Sequence, residues 1–319
     1  MSVQAFDFEK PIMELEERLG DLRRRAEEGD ERAKERLARA EAELDRTRRD
    51  VYNKLTPWER VLFARHKDRP RAFDYIKALT TEFVELHGDR GFADDKAVIC
   101  GTARFQGSPV VVIGQQKGKD TKENVTRNFG MMHPEGYRKA LRMMRLAEKF
   151  GMPILVFIDT PGAFPGVGAE ERGQAEAIAR NMQEMFGLRV PIIALVIGEG
   201  ASGGALGVGL ADRVLMLENA WYCVISPEGC AAILWKEGSM APRAAEALKL
   251  TASDLLSLGV IDAIVPEPLG GAHRHPGETF ANVEKALVEH LKGIQDLSEA
   301  ELLQKRFDKY RQMGTFREI

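Results

Sequence analysis

Apolar residues recur at helical spacing through the first fifty positions and, after residue 97, come mainly in short unbroken runs. Ile12, Leu15, Leu19 and Leu22 fall at i, i+3 and i+4 intervals and predict an amphipathic helix. Gly29-Asp30 breaks it, and Leu37, Ala40 and Leu44 carry a narrower stripe on a second helix. Stripes this narrow do not enclose a core alone, so the pair is expected to pack on the main domain or on a second subunit. Thr56-Pro57-Trp58-Glu59 reads as an N-cap followed by proline at the first helical position. Residues 70–86 predict a further helix, ended by Gly88-Asp89-Arg90-Gly91.

Residues 97–105 and 110–114 predict a β-hairpin closed by Gln106-Gly107-Ser108-Pro109. Pro134 opens a long helix to Phe150 that buries Ala140, Leu141, Met144 and Ala147, with Met143-Met144 as core filling. Two units follow, each a buried strand, a Gly/Pro-rich turn and a helix. The first is Pro153-Ile154-Leu155-Val156-Phe157-Ile158, the turn from Asp159 to Gly168, and a helix over 169–186. The second is Pro191-Ile192-Ile193-Ala194-Leu195-Val196, the turn Ile197-Gly198-Glu199-Gly200-Ala201-Ser202-Gly203-Gly204, and a short helix to Asp212. Strands alternating with helices imply α/β architecture with parallel pairing, and the turns then lie at the strand C-termini where sites are built. Short strands are expected over 213–217, 221–225 and 259–265, and helices over 226–235, 242–248 and 251–258.

The second turn fits three motifs. Gly198, Gly200 and Gly203 spell the dinucleotide fingerprint, with Glu218 near the offset of a ribose ligand. That fingerprint normally opens its domain, whereas here two strand–helix units precede it. Gly200, Ser202 and Gly204 spell the nucleophile elbow of an α/β serine hydrolase. Asp254 or Asp262 with His273 or His290 meets its chain order, although a chain of this length does so easily. The third reading has no nucleophile. Backbone amides at Gly203 and Gly204 form an oxyanion hole, glycine lets a substrate oxygen approach, and Ser202 serves as a helix cap. Pro161-Gly162-Ala163 in the neighbouring unit would add a wall. The third reading is the one adopted, because it accounts for the surplus glycines. Gly207 and Gly209 each cost helix stability and suggest that another backbone passes close.

Composition narrows the classes. Hydrophobic residues make up 44% and charged residues 30%, as in a soluble globular protein, and the net charge of −3 gives no bulk case for nucleic acid or membrane as partner. Cys100, Cys223 and Cys230 are widely spaced in apolar surroundings and read as buried thiols, neither a disulfide framework nor a metal site. No basic-then-apolar leader opens the sequence and no apolar run nears the ~20 residues of a membrane span, so a cytoplasmic protein is expected. No P-loop occurs, and no ATP site is expected. The basic loop Lys117, Lys119, Lys122 and Arg127 reads equally as an anion contact or as a solvated loop.

Asp159-Thr160-Pro161-Gly162-Ala163, Gly198-Glu199-Gly200 through Gly204-Ala205, Ser226-Pro227-Glu228-Gly229 and Glu267-Pro268-Leu269-Gly270-Gly271-Ala272-His273-Arg274 resemble the α subunit of bacterial acetyl-coenzyme A carboxylase carboxyltransferase. The likeness runs from about Trp58 to His275; residues 20–50 depart from it. It implies an α/β crotonase-type ββα superhelix (residues 56–275) with an N-terminal helical extension (1–55) and C-terminal helices (276–319). It also implies transfer of a carboxyl group from carboxybiotin on a biotin carboxyl carrier protein to acetyl-CoA, giving malonyl-CoA, the first committed step of fatty acid synthesis. The implied partners are a β subunit in an α₂β₂ assembly, the carrier protein and biotin carboxylase. The β subunit brings most of the acetyl-CoA site and a zinc ribbon, and no metal is expected in this chain. Negative charge develops on the ureido oxygen of biotin, and the ureido nitrogen can take the methyl proton, so no side-chain base is demanded. On this reading Gly203 and Gly204 supply the amides, and Gly162, Ala163 and Ala205 line the pocket.

Overall fold

The protein is described by a computed structural model over residues 6–314. Its contacts divide the chain between Glu59 and Arg60 into two compact units. In the first, α1 (Lys10–Glu27) and α2 (Glu31–Asn53) are the two predicted helices. They bury Ile12, Leu19, Leu22, Ala33, Ala40 and Leu44. Asp30 caps α2 by accepting from the amides of Arg32 and Ala33 at 3.0 and 3.2 Å. Tyr52 Oη donates to buried Glu9 at 2.7 Å. Of the cross-helix pairs, Arg48–Glu16 is half-buried, whereas Arg23–Glu41 is largely exposed and contributes little. Thr56 and Glu59 then cap α3 (Pro57–Ala64) reciprocally, the Thr56 amide donating to Glu59 at 2.7 Å.

The second unit continues with α4 (Ala72–Leu79) and β1 (Thr81–Glu85). The helix expected over 70–86 therefore stops at Thr80, and Thr81, Phe83 and Val84 form an edge strand instead. These β-branched and aromatic residues suit a half-covered pleat. Next come β2 (Val98–Phe105), β3 (Ser108–Gln115), α5 (Thr121–Thr126), α6 (Pro134–Lys149) and β4 (Ile154–Thr160). The helix expected over 169–186 is two, α7 (Val167–Glu171) and α8 (Gln174–Gly187), parted where Gly173 takes φ +81°. Then follow β5 (Ile192–Ala201), α9 (Ser202–Gly209), β6 (Arg213–Leu217), β7 (Trp221–Cys223), α10 (Pro227–Trp235), α11 (Ala241–Leu248), α12 (Ala252–Ser257), β8 (Ala263–Val265), α13 (Pro276–Gln295) and α14 (Glu299–Arg311). The strand expected over 259–265 keeps only its last three residues. The amide of Val260 bonds back to Leu255 O at 2.9 Å and closes α12.

Among the described residues the strands form one eight-stranded sheet, ordered β1-β2-β3-β4-β5-β6-β8, with β7 also on β5. The hairpin β2–β3 is antiparallel as expected, and β3, β4, β5, β6 and β8 run parallel. Every residue of β4 and β5 is buried, which is why both read as unbroken apolar runs. β5 pairs with β6 through Ile193–Val196, and farther along with β7 through Glu199–Ala201. Among the ion pairs that lie inside are two formed by arginines. Arg69 and Glu267, 1% and 0% exposed, form a two-pronged contact at 2.6 and 2.8 Å, and Arg69 Nε donates to Ile197 O at 2.8 Å. Arg306 of α14 is the second, with Asp212. Cys100 and Cys230 are buried as expected; Cys223 is only half-buried.

Candidate active site

The turns after β4 and β5 meet at the C-terminal ends of adjacent parallel strands, where Thr160 and Gly200 are in register. A methyl placed on Gly204 would sit 2.3 Å from the carbonyl carbon of Gly162 and 2.6 Å from the amide nitrogen of Ala163. Only a residue without a Cβ permits that approach. The expected close backbone is therefore at Gly204. At Gly207 and Gly209 it is the Tyr137 ring and the Ile158 side chain that crowd, at 2.7 and 3.0 Å. Asn181 donates to Gly207 O and Gln115 donates to Gly204 O, at 2.9 and 2.7 Å, and these bonds hold α9 in place. Thr160 Oγ1 donates to Gly162 O at 2.7 Å and accepts from its amide at 3.2 Å, closing the opposite turn.

Below the turns lies a charge cluster, buried at Lys117, Asp159 and Glu199 and reaching the surface at Glu228, that the sequence did not reveal as a unit. Lys117 Nζ donates to Asp159 Oδ1 and to Glu199 Oε2, both at 2.6 Å. Asp159 Oδ1 also accepts from the amide of Glu199 at 3.0 Å. Arg65 donates from Nε to Glu199 at 2.6 Å and from Nη1 to Glu228 at 2.5 Å. Lys117 thus leaves the basic loop for the interior; Lys119 pairs with Asp74 and Arg127 with Glu123. Burial alone would raise the Glu199 carboxyl, but the charges of Lys117 and Arg65 outweigh it and hold the group down to about 2.

The five expected site residues lie in and around the two facing turns. Gly203 and Ala163 are half-buried, whereas Gly162, Gly204 and Ala205 are buried, Ala205 fully. Ser202 is not the cap: it is the first residue of α9, with φ +57° and no capping bond from its side chain. A left-handed serine after a strand is also what a nucleophile elbow offers, but among the described residues no hydrogen bond reaches its hydroxyl. The acids and His273 are engaged elsewhere. Asp254 accepts from Thr251 at 2.7 Å, Asp262 accepts from Lys309 and the amide of Val214, and His273 stacks on His66 at 3.9 Å. The dinucleotide reading fares no better. Gly198 lies against the Asp159 carboxylate, 2.6 Å from a Cβ position, so the face its missing side chain opens is filled by protein and not left free for a pyrophosphate. Glu218 accepts from the amide of Glu267 at 3.2 Å. Among the described residues no cluster of His, Cys, Asp or Glu is placed to hold a metal ion.

Burial, with help from nearby His66 and Arg69, pushes His273 down to about 3. The unfolded chain takes up this proton near the ordinary 6.5 and the folded chain only near 3, so stability is lost as pH falls across that window. Glu199 adds to the loss lower down, between its ordinary 4.5 and about 2. Urea midpoints measured from pH 7 to 4 should therefore fall, and His273→Asn should flatten the first part of the fall. An unchanged slope in that variant would contradict the burial argument.

Residues 5–314 match a family model described as acetyl co-enzyme A carboxylase carboxyltransferase-like. The acetyl-coenzyme A carboxylase carboxyl transferase subunit alpha of Thermus thermophilus is 54% identical over 312 residues, 98% of this chain and 99% of that one. The same subunit of Geobacter metallireducens is 55% identical over 312 residues, 98% of each chain. Among solved structures, transcarboxylase 12S superposes with a TM-score of 0.55 at 21% identity, over 70% of this chain and 42% of that one. A Pseudomonas malonate decarboxylase hetero-tetramer in complex with coenzyme A gives 0.56 at 18% identity, over 66% and 84%. At such identities the likeness establishes the fold, which is the expected α/β crotonase-like carboxyltransferase fold. By its sequence over nearly its whole length, the chain belongs to the family of acetyl-CoA carboxylase carboxyltransferase α subunits.

Proposed function

We propose that this chain provides the biotin-side oxyanion hole for carboxyl transfer from carboxybiotin, borne on a carrier protein, to acetyl-CoA. Malonyl-CoA is the product, and the step commits carbon to fatty acid synthesis. The observation that carries the reading is the contact of Gly204 with the Gly162–Ala163 peptide, which sets a helix start against a second backbone turn. The first amides of α9 have no acceptor within the helix, and the helix dipole favours negative charge there. When bound, carboxybiotin supplies the carboxyl group and leaves negative charge on its ureido oxygen. The amides of Gly203 and Gly204 donate to that charge, at about 3 kcal/mol each by comparison with known oxyanion holes. The backbone cradle fits such a planar group: Gly203 has only Ile178 near its Cβ position, at 3.5 Å. Gly162, Ala163 and Ala205 form the adjoining wall.

The partners proposed are a β subunit that completes the site in an α₂β₂ assembly, the biotin carboxyl carrier protein and biotin carboxylase, all in the cytoplasm. Among the described residues no helix is long and apolar enough to cross a membrane. The test is reconstitution with a candidate β subunit and measurement of malonyl-CoA decarboxylation in the presence of biotin. A well-formed complex without activity overturns the proposal. In that complex Ser202→Ala should change kcat by less than about 10-fold; a loss of about 10⁴-fold would mark a nucleophile instead.

A further inference from the structure

We propose that Lys117 is a positioning residue for carboxyl transfer, its buried ammonium fixing the separation of the two backbone turns that form the oxyanion site. The inference rests on the proposed function above. Lys117 follows β3, and its Nζ lies 2.6 Å from carboxylates on two other strands. Each carboxylate sits just before a turn: Asp159 precedes Thr160-Pro161-Gly162-Ala163, and Glu199 precedes Gly200 and the start of α9. The Glu199 amide bond to Asp159 closes the triangle at 3.0 Å. The strand ladder leaves this spot under-specified, because the register of β4 on β5 shifts between Ile158 and Thr160. The bridge by Lys117 spans that irregularity.

A stability role does not explain the cluster. Lys117, Asp159 and Glu199 are 10%, 3% and 7% exposed at their side chains. Ions so buried lose hydration that their attraction barely restores, and apolar residues of the same volume are often as stable or more so. Arg65 and Arg71, the latter 3.9 Å from Asp159 Oδ2, bring the count to three cations against Asp159, Glu199 and Glu228. A charge-balanced cluster holds its geometry without drawing in counter-ions. Displacing one turn relative to the other by an ångström would misaim the amides, and errors of that size cost about 100-fold in rate.

The experiment uses the complex with the β subunit and follows biotin-dependent malonyl-CoA decarboxylation. The variant Lys117→Met/Asp159→Asn/Glu199→Gln removes the ammonium together with both of its carboxylates, while Arg65 keeps Glu228 and Arg71 keeps its bond to the Lys67 carbonyl at 3.1 Å. It should assemble with KM for malonyl-CoA within about threefold of wild type and kcat lowered about 100-fold. Lys117→Arg keeps the charge but brings a longer, planar guanidinium into a space closed around a compact ammonium, which spreads the two carboxylates, and should lose about tenfold in kcat alone. It decides the matter if the triple variant fails to fold. Wild-type kcat in the triple variant or in Lys117→Arg, or a loss confined to KM, overturns the proposal. Gly204→Ala run beside them separates the two ideas. If it is inactive while the Lys117 variants are active, only the positioning role falls; if it is fully active, the oxyanion site itself falls.

Discussion

Gly204→Ala is expected to lower kcat for carboxyl transfer by about 100-fold or more, while Gly203→Ala loses less than about 10-fold. The two glycines are neighbours in the same helical turn, yet their surroundings differ. The added methyl at 204 would meet the Gly162 carbonyl carbon and oxygen at 2.3 and 2.7 Å, so one turn must move off the other. At 203 the methyl would meet only Ile178 carbons at 3.5 and 3.6 Å, an ordinary contact. Both variants keep both amides, so chemistry alone does not distinguish them; position does. Steady-state kinetics of the reconstituted complex, with thermal unfolding as the control for folding, provide the comparison. Equal kcat in the two variants would break the link between the facing turns and the reaction.

Arg306→Ala is expected to destabilise the second unit by about 3–5 kcal/mol, the usual cost of removing one partner of a buried ion pair. The guanidinium, on α14, is 1% exposed. It donates to both Asp212 oxygens at 2.8 Å and to the carbonyls of Met185, Leu188 and Val190 at 2.7 to 3.0 Å. Asp212 in turn accepts from the amide of Ile192, the first residue of β5, at 2.7 Å. Removal leaves a buried carboxylate with one amide and three carbonyls without their donor. The melting temperature should drop by on the order of 10 °C. Arg306→Lys should recover only part of it, because one ammonium cannot reach all five acceptors. A melting temperature within about 2 °C of wild type in the alanine variant would refute this account.

The parallel α/β core was legible because buried parallel strands write themselves as unbroken apolar runs, and Pro153–Ile158 and Pro191–Val196 are such runs. The edge strand Thr81–Glu85 was not, since it follows a helix without a breaker and shows no clean alternation. The glycine turns could be placed from sequence, because a surplus of glycine signals close approach whatever its partner is. Which glycine faces which neighbour could not. Gly198 accommodates the Asp159 carboxylate and Gly204 the Gly162 peptide, contacts between segments some forty residues apart. Lys117 was hidden for the same reason. Within its own loop it is one of several basic residues, and only the fold reveals that it alone of those considered turns inward to Asp159 and Glu199. Ser202 misled in the opposite sense. Serine commonly caps helices, but here it takes φ +57° one position inside the helix.

The longest strand of the sheet also has a mechanical consequence. Along Ile193–Val196, β5 is flanked by β4 and β6, but its last three residues overhang β6 and lean instead on Trp221–Cys223. The helix start at Gly203 and Gly204 thus follows a strand end held on one side by Thr160 of β4 and propped on the other by a three-residue strand, anchored by a wholly enclosed Trp221. A change at that tryptophan would tilt the turn that carries Gly203 and Gly204 while leaving every group in it chemically intact. Kinetic damage from Trp221 variants should therefore resemble that of an active-site lesion, although the indole itself need touch no substrate.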